Sequence, residues 1–124
     1  MKKMLCIPLL VVMLILTACQ NTSDAPLLEG TVSIFTEDAV ILSEEVSLQA
    51  ENVEEALVKT CQQNKIPYTL TNNMFDNFGG IASTQTDGWI LYVNGELAQA
   101  GAKFITLEDG FLIEFKYVNY DEVF

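Results

Sequence analysis

The stretch ENVEEALVKTCQQNK, residues 51–65, decides the fold, because it is where a polar chain takes up apolar residues at helical spacing. Val53, Ala56, Leu57, Thr60 and Cys61 fall on one stripe, while Glu54, Glu55, Val58, Lys59 and Gln62 lie mostly elsewhere. Asn52 is a good N-cap, and Glu55 three residues on completes a capping-box spacing. Glu54 and Glu55 sit in the first turn, where the helix dipole favours acids. Pro67 predicts an end near Asn64. A single helix has a single stripe to bury, so the rest of the chain must supply the surface beneath it. Cys61 lies on that stripe and reads as a buried, inert thiol rather than a functional one.

That surface reads as a sheet. Upstream, TVSIFT (31–36) alternates as a half-buried strand does. AVILSEEVSLQA (39–50) offers a second strand around Val40–Leu48, with the charged Ser43-Glu44-Glu45 expected as a turn or bulge. Downstream, residues 66–87 begin with a short strand near Tyr68–Thr71 and continue as an irregular segment in which Gly79-Gly80 marks turns. Phe75 and Phe78 there are read as plugs over the core, with a ligand rim as the alternative. GWILYVNG (88–95) is the strongest strand: Trp89 to Val93 is continuously apolar, as in a sheet interior, and Asn94-Gly95 supplies a tight turn. After a loop and short strand over 96–110, FLIEFKYV (111–118) puts Phe111, Ile113, Phe115 and Tyr117 on one face and Leu112, Glu114 and Lys116 on the other. The aromatic face is the better one for the helix. The pattern predicts an α+β fold, one helix packed on a mixed β-sheet with the Trp89 strand in its middle.

Residues 1–19 have the layout of a secretory signal: Lys2 and Lys3, an apolar run from Met4 to Leu16, and a small-residue exit. The run is shorter than the roughly 17–25 residues of a spanning helix. Its exit, Leu16-Thr17-Ala18-Cys19, resembles the lipobox of bacterial lipoproteins. That resemblance implies a signal peptide over 1–18, lipidation of Cys19, and a lipid-anchored protein on the extracytoplasmic face of the cell membrane. Residues 19–30 are then expected as a tether, with Gln20–Gly30 reaching roughly 35–40 Å, and residues 31–124 as the domain.

Loss of 1–18 would leave about 106 residues, enough for one small domain. The formal charge of −11 would become about −13 as two lysines leave. With no arginine and this balance, nucleic acid is excluded as a partner. The chain holds no histidine to serve as a general base near neutral pH, and no His/Cys cluster at metal-ligand spacing. Phosphate-cradling glycine loops are also missing. Cys61 would be left without a disulfide partner. Adjacent acids such as Glu108-Asp109 are expected as solvated surface, weak calcium binding there being the alternative. An enzyme is therefore not expected, and no cofactor or metal is assigned.

GWILYVNGELAQAGAKFITLEDGFLIEFKY (88–117) resembles the transcobalamin-like C-terminal domain family. The residues that carry the resemblance are Gly88, Trp89, Tyr92, Val93, Asn94, Gly95, Gly101, Ala102, Leu107, Asp109, Gly110, Phe115 and Tyr117. It extends over roughly Thr31–Val118, and departs from the family at Phe111, where an acid is usual. The resemblance implies a ubiquitin-like β-grasp fold. In animal cobalamin carriers the similar domain is a lid closing over a corrinoid held by a larger helical barrel, and a lid alone should bury only part of so large a ligand. By that resemblance Trp89, Tyr92, Asn94, Leu97 and Gly101 are the candidate ligand-binding residues, with cobalamin or a similar ligand as the expected small molecule. The other reading is a surface interaction module that docks on a protein partner, such as a transporter, with no small ligand.

Overall fold

The computed structural model describes residues 26–124. The signal peptide, Cys19 and the tether as far as residue 25 lie outside the described residues.

The helix forms as its sequence predicts. α1 spans Val53–Gln63, and the Asn52 side chain accepts from the Glu55 amide at 2.9 Å. Glu55 reaches back to the Glu51 amide (3.3 Å), one residue before the usual capping-box partner. Val53, Ala56, Leu57, Thr60 and Cys61 are all fully buried. Thr60 spends its hydroxyl on the Ala56 carbonyl (2.7 Å), which makes it tolerable in an apolar stripe. Burial pushes the Cys61 thiol up to about 11.

Among the described residues eight strands accompany it. β1 (Leu27–Phe35) and β2 (Val40–Gln49) form a hairpin. Three strands follow the helix, β3 (Tyr68–Thr71), β4 (Met74–Phe78) and β5 (Ile81–Ala82), then β6 (Asp87–Val93), β7 (Glu96–Leu97) and β8 (Phe111–Asn119). The main sheet has the order β2-β1-β8-β6-β7, mixed because β1 and β8 run parallel while its other pairs are antiparallel. This is one helix on a mixed sheet, as expected, with β8 rather than the Trp89 strand in the middle.

β1 starts four residues earlier than the pattern of 31–36 suggests. Leu27 to Gly30, expected as tether, pair with Gln49 to Val46, and Leu28 is buried. Gly30 is opposite Phe111 in the parallel ladder, and a Cβ on it would stand 2.4 Å from the Phe111 ring. The missing side chain at 30 makes room for the Phe111 ring, 3% exposed, at the start of β8. Ser43-Glu44-Glu45 is neither turn nor bulge. It pairs regularly with Ser33, Val32 and Thr31, and the irregularity falls nearer the hairpin end, where Ile34 and Phe35 oppose Leu42 and Val40. β2 is an outer strand, and its exposed acids discourage edge pairing.

The segment expected to be irregular is a second sheet, order β3-β4-β5. Its turns are Asn72-Asn73 (φ 53° and 65°) and Gly79-Gly80 (φ 63° and 88°), both two-residue connections with positive φ at each position. On β3, the Thr69 and Thr71 hydroxyls donate to the Asp76 carboxylate and hold it below the usual range. β5 lies over β6 and β8, where the Ile81 carbonyl accepts from the Trp89 indole (2.8 Å) and the Ala82 carbonyl from the Tyr117 hydroxyl (2.9 Å). Phe78, fully buried, is the hub: its ring centroid is 5.2 Å from Phe75, 5.1 Å from Trp89 and 5.0 Å from Phe115. Phe78 is therefore the plug its apolar character predicted. The helix stripe packs in one core with Ile113 and Phe115, the face predicted for it, and the small sheet, which was not predicted, adds Phe75 and Phe78 to the same core. The other face carries Tyr92, Lys116 and Phe35, with the Lys116 ammonium 4.4 Å from the Tyr92 ring centroid.

Candidate binding groove

An open groove of about 460 Å³ runs along the outer edge of β6. Its floor is Trp89 to Leu91, one wall is the β3–β4 hairpin at Asn72 to Phe75, and the other is the loop from Leu97 to Phe104. The loop leaves the sheet because β7 pairs only with Tyr92 and Val93, and the last bond is Ala98 N–H to the Leu91 carbonyl (3.0 Å). It meets the hairpin at Gly101, where a Cβ would lie 3.9 Å from the Asn73 carbonyl oxygen and 3.7 Å from the Phe104 ring. The loop then closes in a short 3-10 turn, Ala102–Phe104.

Among the described residues no charged side chain lines this groove. Asn72, Asn73 and Gln99 supply amide side chains to it, and the Gln99 amide donates to the Leu97 carbonyl at 3.2 Å. On its rim stand Met74, Phe104 and Phe124, exposed by 66%, 70% and 78%. Large apolar groups left in water around an apolar hollow mark a surface prepared for an occupant. An uncharged ligand loses least on entering it, since nothing there compensates a buried charge.

The five residues singled out by resemblance are divided by the fold. Trp89, Leu97 and Gly101 line the groove. Trp89 is only 6% exposed, and its indole N–H is committed to the Ile81 carbonyl. Tyr92 is on the opposite face of the sheet, under Lys116. Asn94 (φ 53°) is structural: its amide donates to the Leu112 carbonyl (2.8 Å) and its Oδ1 accepts from the Leu112 amide (2.9 Å), which locks the turn to β8. Phe75 is a plug over the core, at 5% exposure, and it also lines the groove. The sequence reading missed Met74 and Phe104. An isolated phenylalanine in a loop of small residues, AQAGAKF, was the available signal.

Among the described residues no group of three His, Cys, Asp or Glu side chains could hold a metal. Asp109, weighed for calcium, accepts at Oδ1 from the Glu29 amide (2.9 Å) and so anchors the start of β1.

The fold has solved counterparts. Haptocorrin, in a crystal structure with Cbi, superposes with a TM-score of 0.68 at 15% identity over 80% of this chain. This chain covers 27% of haptocorrin. A protein of Ruminococcus gnavus ATCC 29149, provisionally described as metal-binding, gives a TM-score of 0.60 at 15% identity over 74% of this chain and 97% of its own. These likenesses establish a shared fold, in agreement with the transcobalamin-like pattern of residues 88–117. No curated protein matches the chain. The family model described as a domain of unknown function, DUF4430, matches residues 50–119, more than half of the sequence, and the chain belongs to that family.

Proposed function

We propose that this chain is a non-catalytic binding module, held on the extracytoplasmic face of the membrane by lipid on Cys19, whose groove takes cobalamin or a similar large, uncharged-faced ligand. The observation that carries the reading is the uncharged groove rimmed by exposed Met74, Phe104 and Phe124. Two further features support it. The sheet order, with its parallel pair between the first and last strands and one helix after the opening hairpin, supports reading the fold as a ubiquitin-like β-grasp. Haptocorrin, which shares the fold, was crystallised with Cbi. At 27% of haptocorrin's length, this chain offers one wall for such a ligand, so modest affinity is expected.

A metal is not proposed despite the description of the Ruminococcus gnavus protein, because the described residues bring together no donor set for one. Titration of the full chain in detergent with cobalamin, read by calorimetry and by the emission of Trp89, the only tryptophan, tests the ligand. Saturable binding is expected at micromolar concentrations. Absence of heat and of any emission change at high micromolar cobalamin overturns this reading. For the anchor, Cys19→Ala should abolish incorporation of labelled fatty acid and release the protein from the membrane. Continued labelling would place the lipid elsewhere.

The second reading, a module that docks on a protein partner without a small ligand, is favoured by the open strand edge on the groove floor.

A further inference from the structure

The floor of the groove is main chain, and part of it is unpaired. Asn94 N–H donates to the Leu112 carbonyl, which fixes the even-numbered residues of β6 as those bonded to β8. Trp89 and Leu91 therefore turn their amides and carbonyls toward the groove. The Leu91 carbonyl accepts from Ala98 and the Asp87 carbonyl from Thr84 (2.7 Å), where cross-strand pairing on this side ends. Three groups in line remain: the Leu91 N–H, the Trp89 carbonyl and the Trp89 N–H. Among the described residues none of them has a hydrogen-bond partner.

An unpaired strand edge between apolar walls is costly to leave unmatched wherever water serves its polar groups poorly. The two borders of the main sheet are also treated differently. On β2 the exposed Glu44 and Glu45 defend the border, whereas no charge occurs from Gly88 to Gly95 on the β6 side. The undefended edge is the one inside the groove.

We propose that the groove accepts an extended peptide segment as an added strand along Trp89–Leu91 of β6. A three-residue stretch of peptide, about 10 Å long, would supply one amide and two carbonyls to the three open groups. Side chains alternate along such a strand, so every second one would enter the hollow beside Phe75 and Phe104 and should be apolar. The chain's formal charge of −11 selects against acidic segments and favours neutral or basic flanks. This inference rests on the groove being the binding site, and on its second reading, but not on cobalamin as the ligand.

The test uses the full chain in detergent and a blocked heptapeptide with isoleucine or valine at alternate positions and lysine at both ends. Two further versions carry N-methyl groups on one or the other alternate set of amides. Strand addition predicts that one methylated version loses at least about tenfold in affinity while the other binds nearly as the parent does. It also predicts that the Trp89 and Leu91 amides exchange faster than those of Ile90 and Tyr92 in the free chain, and slow when peptide is added. Equal effects of the two methylation patterns overturn the proposal, as does failure of the parent peptide to bind at millimolar concentration. Protection of Trp89 and Leu91 before any addition also overturns it. Cobalamin binding without peptide binding would sink this inference alone, whereas failure of both would remove the groove as a site.

Discussion

Gly30 and Phe111 are coupled residues. Any side chain at 30 must enter space held by the Phe111 ring and its carbonyl oxygen. Gly30→Ala should cost about 1–3 kcal/mol of stability by overpacking, measured by denaturant unfolding, and combining it with Phe111→Ala should recover part of that loss. Strict additivity of the two would show that the residues act apart. From sequence, Gly30 belonged to a tether and Phe111 to the start of the closing strand, and their contact was hidden because a glycine and an apolar residue 81 positions away carry no sign of it. Cys61 was legible, since the helical stripe alone places it inward. Its raised thiol pKa makes a signed prediction. In the unfolded chain the thiol ionises near 9.0, but in the folded chain only near 11. Between those values the unfolded state has lost a proton that the folded state keeps, so the stabilising contribution is complete below pH 9 and falls away as pH rises toward 11. Unfolding free energy measured from pH 8 to 11 should decline more steeply for the wild type than for Cys61→Ala. Parallel profiles would contradict the burial of this group.

Among the elements, α1 was read correctly to within a residue, because its stripe, cap and stop agree with one another. Replacement of the cap, Asn52→Ala, removes the acceptor of the Glu55 amide and should cost about 1 kcal/mol; thermal unfolding checks this, and an unchanged midpoint would show that Glu55 alone holds the helix start. The β3–β5 sheet was hidden for the opposite reason. Met74–Phe78 mixes Asp76 and Asn77 among its apolar residues and shows no clean alternation, and Asn72-Asn73 was not taken as a two-residue turn. Asn tolerates positive φ better than most residues, which is the physical clue that was present. Ser43–Glu45 misled because three polar residues suggest a break, although an edge strand tolerates charge facing solvent. Strength of apolar character placed the Trp89 strand in the middle of the sheet. In fact its neighbour β7 pairs with two of its residues, and the run buries Trp89 and Leu91 in the core while its open edge lines the groove.

For the whole molecule, the groove is built from segments distant in sequence: the β3–β4 hairpin, the edge of β6 and the 97–104 loop. No local pattern could announce it, and of the five candidate ligand residues only Trp89, Leu97 and Gly101 belong to its lining. The charge balance and the helix-on-sheet plan were open to reading, because both are sums over the chain. Phe104 is the best place to probe the groove without harming the fold, since its 70% exposure means little stability is at stake. Phe104→Asp should weaken ligand binding by about tenfold or more, through lost apolar contact, while the thermal midpoint stays near the wild-type value. A fall in both would make the residue a fold element instead. The most direct measurement is a map of backbone amide shifts during cobalamin titration of the full chain in detergent. Shifts gathered at Met74, Trp89, Leu91, Leu97 and Phe104 are the predicted result. Shifts gathered instead on the open face, at Phe35, Tyr92 and Lys116, would contradict the groove as the seat of binding.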